Sequence, residues 1–176
     1  MASEPSSCGE PIRTEMDFRI EAGDWPAVDE LEAIIDATIL AALNNSAFYT
    51  ACSVMQGSEV SLLLTDDKHI AAINSEFRGQ KKPTNVLSFP QQDADCDIYG
   101  PYLGHIVLAY ETVFREADLE NKDFNHHFQH LLVHGFLHLV GFDHETDNEA
   151  KVMENLEIDI LRDLNIEDPY KDTIKR

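Results

Sequence analysis

The sequence is short of positive charge. Thirteen Lys and Arg stand against 33 Asp and Glu, a formal net charge of −20. A surface of that sign repels a phosphate backbone, which excludes non-specific nucleic-acid binding by the whole surface and leaves only a local basic patch for the task. Cysteine is scarce too. Cys8, Cys52 and Cys96 lie far apart with no CxxC pair, which excludes a disulfide framework and reads as reduced thiols of a cytosolic protein. No apolar run reaches the roughly 18 residues of a transmembrane helix. The opening MASEPSSCGEPIRTE lacks the apolar core of a secretory signal, so none is expected. What is present suffices for a core: 43% of the 176 residues are hydrophobic, and the length suits one domain.

Residues 1–15 are rich in Ser, Pro and Glu and read as a flexible terminal segment. Residues 16–176 are expected to form a single domain, since no linker or repeat divides them. Strands are expected at 16–21, 59–65, 86–89 and 103–109, and helices at 28–43, 66–77, 110–121, 125–140 and 146–164. The helix at 125–140 is apolar almost all round, which marks it as buried. Thr146 and Glu149 form a capping-box pattern. Strands and helices alternate incompletely and the C-terminal half is mostly helix, which favours an α+β fold with a mixed sheet.

The most informative segment is His134–His144, HGFLHLVGFDH. His134 and His138 stand one turn apart on the buried helix and project from one face. Gly141 follows as a helix stop where the chain reverses, and His144 lies on the return. Three imidazoles converging with a fourth position open is the catalytic zinc arrangement. The bland alternative, core histidines among Leu131, Phe136 and Leu139, is costly without polar partners. His126, His127 and His130 read as surface residues or as supports of the ligands, and His69 as exposed. Asp143 either orients a ligand histidine or ends the turn.

The spacing HxxxHxxGxxH is also that of zinc peptidases, which carry Glu after the first His as general base. Here that position is Gly135, which cannot accept a proton, so the peptidase reading keeps its metal and loses its base. A basic loop supplies a different chemistry. Arg78, Lys81 and Lys82 fall within five positions of an otherwise acidic chain. Arg offers a planar fork to phosphate oxygens, and phosphoryl chemistry needs cations where charge develops. Phe77 and Phe89 are either core residues or platforms for a base.

His134–His144 and the segment 74–90, NSEFRGQKKPTNVLSFP, closely resemble the bacterial YbeY endoribonucleases, also described as rRNA maturation factors. The strand LGHIVL at 103–108 and the tail NIEDPY at 165–170 share the likeness, which spans roughly residues 16–170. The resemblance implies a single-domain α+β protein with a mixed four-stranded sheet and about five helices. It implies one divalent metal per chain, Zn2+ first among the candidates, held by His134, His138 and His144, and it maps the family's functional Arg onto Arg78. It implies a cytoplasmic, metal-dependent, single-strand-specific endoribonuclease acting in 16S rRNA 3′ end maturation and ribosome quality control. The implied partners are single-stranded RNA, the ribosomal small subunit and associated assembly factors such as the Era GTPase, with no membrane. One residue departs from the family: His105 stands where LGDI would place Asp. It is either a bystander or an extra metal ligand.

The expected mechanism is hydrolysis of an RNA phosphodiester, through metal-activated water or a metal-polarised phosphate. Arg78 stabilises the developing charge, while Lys81 and Lys82 seat the strand. Two alternatives remain open at this stage. One is a peptidase-like zinc hydrolase. The other is a non-catalytic ribosome-assembly factor with a structural zinc, whose fourth ligand would come from His105, Asp143 or His130.

Overall fold

The computed structural model describes residues 11–171. Of the segment expected to be flexible, residues 1–10, Cys8 among them, lie outside the described residues. Thr14 and Glu15 belong instead to a strand. That strand, β1 (Thr14–Ile20), begins two residues early because parallel pairing with β2 (Ser58–Thr65) starts at Thr14 and Ser58.

The remaining elements are α1 (Val28–Asn44), α2 (Ser46–Ala51), α3 (Asp67–Arg78), β3 (Val86–Pro90), β4 (Tyr102–Ala109), α4 (Tyr110–Leu119), α5 (Phe124–Leu139) and α6 (Asp147–Asp163). The α+β reading and the mixed four-stranded sheet hold. The helix α2 is additional. It is too short to carry a visible period, and it forms because the Asn45 side chain accepts hydrogen bonds from the backbone N–H groups of Ala47 and Phe48. The capping box at Thr146 and Glu149 is present, and Asp66 and Asp123 cap α3 and α5.

The strand order is β1-β2-β4-β3. β1, β2 and β4 run parallel, and β3 pairs antiparallel with β4. Alternation along the strands divides the side chains between two faces. Val60, Leu62, Leu64, Ile106 and Leu108 join the main core with α1 and α5. On the opposite face, Leu63, Leu87, Val107 and Phe89 pack with Ile70 and Ile73 of α3.

α5 lies at the centre, against β3 and β4 and between α1, α4 and α6. Its residues Phe128, Leu132, Val133, Phe136, Leu137 and Leu139 are fully buried. Burying each such side chain stabilises the fold by about 1.5–3 kcal/mol. Gly135 makes the close approach to the sheet possible. A Cβ there would stand 3.1 Å from Ile106 Cγ2, 3.1 Å from Ser88 Oγ and 3.3 Å from Val86 Cγ2. A rigid, fully packed helix therefore carries the histidines.

Candidate metal centre

From α5, His134 reaches α6 and His138 reaches the loop after the helix. The loop turns at Gly141, whose φ of +88° suits glycine. Added bulk at Gly141 would meet the Tyr99 hydroxyl and the Ala94 carbonyl. The Asp143 carboxylate accepts the His144 backbone N–H at 2.8 Å, which shapes the turn, and among the described residues no hydrogen bond joins it to an imidazole. His144 thereby returns to the helix face. The ring centroids stand 4.7 Å apart for His134 and His138, 5.5 Å for His134 and His144, and 4.9 Å for His138 and His144. One ligand atom from each of the three falls within 4.8 Å of the others, a group able to hold a metal ion.

Hydrogen bonds decide which nitrogen of the His134 and His138 rings is free. Both oxygens of the Glu157 carboxylate are acceptors, so His134 donates Nδ1–H to Oε1 at 2.7 Å. A carbonyl also only accepts, so His138 donates Nδ1–H to the Phe142 oxygen at 3.0 Å. Each ring therefore turns a bare Nε2 lone pair inward, and the two Nε2 atoms face each other at 3.1 Å. Two lone pairs at that separation repel unless a cation lies between them. Zinc–nitrogen bonds of about 2.0–2.1 Å in a tetrahedron place neighbouring nitrogens about 3.3 Å apart. The donor set thus fits a small cation that favours nitrogen.

The electrostatics agree. Burial, with the neighbouring His134 and His144 imidazoles, pushes His138 down from 6.5 to about 4, which keeps its ring neutral and its lone pair available. Burial opposes ionisation of Glu157. The hydrogen bonds from His130 and His134 outweigh it and bring the carboxyl down from 4.5 to about 2.

The other histidines have separate duties. His130 donates Nε2–H to Glu157 Oε2 at 2.8 Å, and the Tyr170 hydroxyl donates to the same oxygen. His127 is buried and pairs with Glu116 at 2.9 Å. His126 and His69 are exposed, and His69 bonds Asp66. His105 lies on the α3 face of the sheet, where it pairs in register with Phe89, and its Nε2 bonds the Tyr102 hydroxyl at 3.0 Å. Its strand position turns it away from the α5 face, so the possibility of an extra ligand there is corrected. Among the described residues, none of His105, Asp143 or His130 joins the three-histidine group.

Arg78 ends α3, and Lys81 and Lys82 follow in the loop to β3. All three are exposed, and no hydrogen bond or ion pair engages their side chains among the described residues. The loop is anchored at both ends, by Asn74 donating to the Lys82 carbonyl and by Asn85 donating to the Glu116 carboxylate. Phe77 is 64% exposed and packs edge-on against Phe89 at 5.1 Å. Both border a groove of about 630 Å³ with Ser61, Arg19 and His105.

Sequence reasoning missed Glu157, Tyr170 and Glu116. Glu157 left one signal: it falls on the apolar stripe of α6, in line with Met153, Leu156, Ile160 and Leu161. An acid at a core position needs partners, and here they are histidines.

A family model described as Endoribonuclease YbeY matches residues 20–165. A curated relative of that name from Chelativorans sp. is 48% identical over 156 residues, covering 88% of this chain and 92% of the relative. Another, from Rhodopseudomonas palustris, is 51% identical over 153 residues, covering 86% of this chain and 78% of the relative. A third, from Rhizobium meliloti, is 48% identical over 160 residues, covering 90% and 95%. Among solved structures, a solution structure of a Thermotoga maritima protein aligns with a TM-score of 0.53 at 23% identity, over 90% of this chain and 99% of that one. That last likeness concerns the fold.

Proposed function

The chain belongs to the endoribonuclease YbeY family, and from that membership we propose that it is a metal-dependent endoribonuclease that hydrolyses single-stranded RNA. The observation that carries the reading is the pair of inward Nε2 lone pairs of His134 and His138 at 3.1 Å, with His144 beside them. His134, His138 and His144 hold one divalent ion, Zn2+ by preference for three imidazoles. When bound, that ion supplies Lewis acidity, polarising a phosphate oxygen or easing deprotonation of a water towards about pH 7.

The chain's own residues divide the remaining work. Arg78 pairs with the scissile phosphate through its planar fork and stabilises charge as it builds. Its exposure, with no competing carboxylate partner, leaves that fork available. Lys81 and Lys82 seat the strand electrostatically on an otherwise acidic protein. The proton acceptor is not a side chain at position 135. Gly135 faces Ile106, Ser88 and Val86 of the sheet rather than the histidines. That placement disfavours peptidase chemistry.

The proposal extends to the biological setting. The substrate is rRNA, at the 3′ end of 16S rRNA and in ribosome quality control. The partners are the ribosomal small subunit and its assembly factors, and the site of action is the cytoplasm. The described residues include no helix long and apolar enough to cross a membrane, and Cys52 and Cys96 are free thiols. Residues 16–176 act as one domain.

The test uses metal-quantified protein and its His138→Ala variant on labelled single-stranded RNA, duplex RNA and casein, with and without chelator. Cleavage of single-stranded RNA by the metal-loaded parent alone is expected. Casein cleavage would restore the peptidase reading, and bound metal without any cleavage would favour an assembly factor. A cyclic phosphate end would identify the substrate 2′-hydroxyl as nucleophile, and a 3′-hydroxyl end would identify water.

A further inference from the structure

We propose that Glu157 is the positioning residue of the histidine centre, fixing the tautomer of His134 with one carboxylate oxygen while His130 and Tyr170 hold the other. Glu157 is fully buried in α6, and both of its oxygens are engaged. Oε1 accepts His134 Nδ1–H at 2.7 Å, and Oε2 accepts His130 Nε2–H at 2.8 Å and the Tyr170 hydroxyl. An acceptor-only group has one effect on each ring: the nitrogen facing it carries the proton. The two histidines stand one turn apart on α5, yet they meet the same carboxylate through opposite nitrogens. His134 is thereby left with a bare Nε2 directed at His138, whereas His130 turns a protonated Nε2 to the carboxylate and, among the described residues, lies outside the three-histidine group. One buried carboxylate thus fixes opposite tautomers on two successive rungs of the His126, His130, His134, His138 row.

The seat of Glu157 is built from three parts of the chain. α5 supplies His130 and His134, α6 supplies the carboxylate, and the tail supplies Tyr170. The tail is itself tied back where Lys122 Nζ donates to the Pro169 carbonyl at 3.1 Å. His130 and Tyr170 also pack edge-on, with ring centroids 5.5 Å apart. A carboxylate behind a ligating imidazole fixes the ring's orientation and raises its basicity, and removing one typically costs about 10–100-fold in metal affinity.

This inference rests on the metal reading, and its test separates the two. The first measurement is the tautomer of each histidine in the metal-free parent, by long-range 1H–15N correlation at pH 7.5. His134 is expected as the Nδ1–H form and His130 as the Nε2–H form. His134 found as the Nε2–H form overturns the proposal whatever the metal does. The second measurement is zinc affinity by chelator competition. Glu157→Gln keeps the shape but cannot accept from both rings. It is expected to bind zinc about 10–100-fold more weakly and to lose the fixed His134 tautomer. A purely structural role would lower the melting temperature and leave both readouts unchanged, which also overturns the proposal. If Glu157→Gln fails to fold, Tyr170→Phe removes one hydroxyl only. A several-fold weaker zinc affinity is then expected, and parental affinity strikes Tyr170 from the arrangement. A parent that binds no zinc overturns the metal reading itself, while the tautomer result still decides the role of Glu157.

Discussion

Gly135 occupies the place where a peptidase carrying the same histidine spacing would have its base, so Gly135→Glu completes that motif in sequence. The structure predicts damage instead. Any Cβ at 135 lands 3.1 Å from Ile106 Cγ2 and 3.1 Å from Ser88 Oγ. Overpacking of this kind costs about 1–3 kcal/mol. Leaving glycine in a helix returns about 1 kcal/mol. The two nearly cancel for Gly135→Ala, which is expected within about 2 kcal/mol of the parent. Glutamate adds a carboxylate against Ile106, which is fully buried, and an uncompensated buried charge costs about 3–5 kcal/mol. The net loss is then about 3–7 kcal/mol, a fall in Tm of roughly 6–28 °C for a domain of this size. Thermal unfolding of the metal-loaded parent, Gly135→Ala and Gly135→Glu measures it, with casein digestion alongside. A Gly135→Glu protein that melts with the parent, or one that cuts casein, would refute the placement of this helix face on the sheet.

Arg78→Ala is expected to keep the parental Tm and zinc content, because the side chain is exposed and unpaired, while cleavage falls by about 100-fold or more. Parental cleavage would end its phosphate role. Replacing Lys81 and Lys82 by Ala should weaken RNA binding and flatten its salt dependence, by about 0.7 in the log–log slope per lost single-strand phosphate contact; an unchanged slope would show that neither lysine meets the strand. The folded value of about 4 for His138 lies below the ordinary 6.5. The metal-free fold therefore holds this stability above pH 6.5 and loses it as pH falls towards 4. Urea unfolding at pH 7 and pH 4 should show a larger loss in the parent than in His138→Ala, and equal losses would contradict the burial argument.

The three-histidine group was legible because its members are close in sequence. One helical turn, one glycine and one return step bring three rings together, and each of those steps leaves a local pattern. The elements were legible for the same reason, with boundaries within a few residues of those observed. What could not be read depends on chain segments far apart. Glu157 reaches His134 across 23 positions, and Glu116 reaches Asn85 across 31. Nothing local in the sequence joins them. The direction of His105 also needed the register of β4 against β3. A lone histidine in a strand does not declare its face when both faces carry apolar neighbours. The helix α2 escaped because six residues, SAFYTA, hold too little period to detect.

The central claim is that three imidazoles hold one ion that makes RNA cleavage possible. Titrating zinc into metal-free protein while following cleavage of a labelled single-stranded RNA tests it most directly. The account predicts that activity rises linearly and breaks at about one equivalent per chain, as the three-imidazole site with its open position requires, with His138→Ala silent throughout. Activity that is full before any metal is added, or that His138→Ala shares, would contradict it.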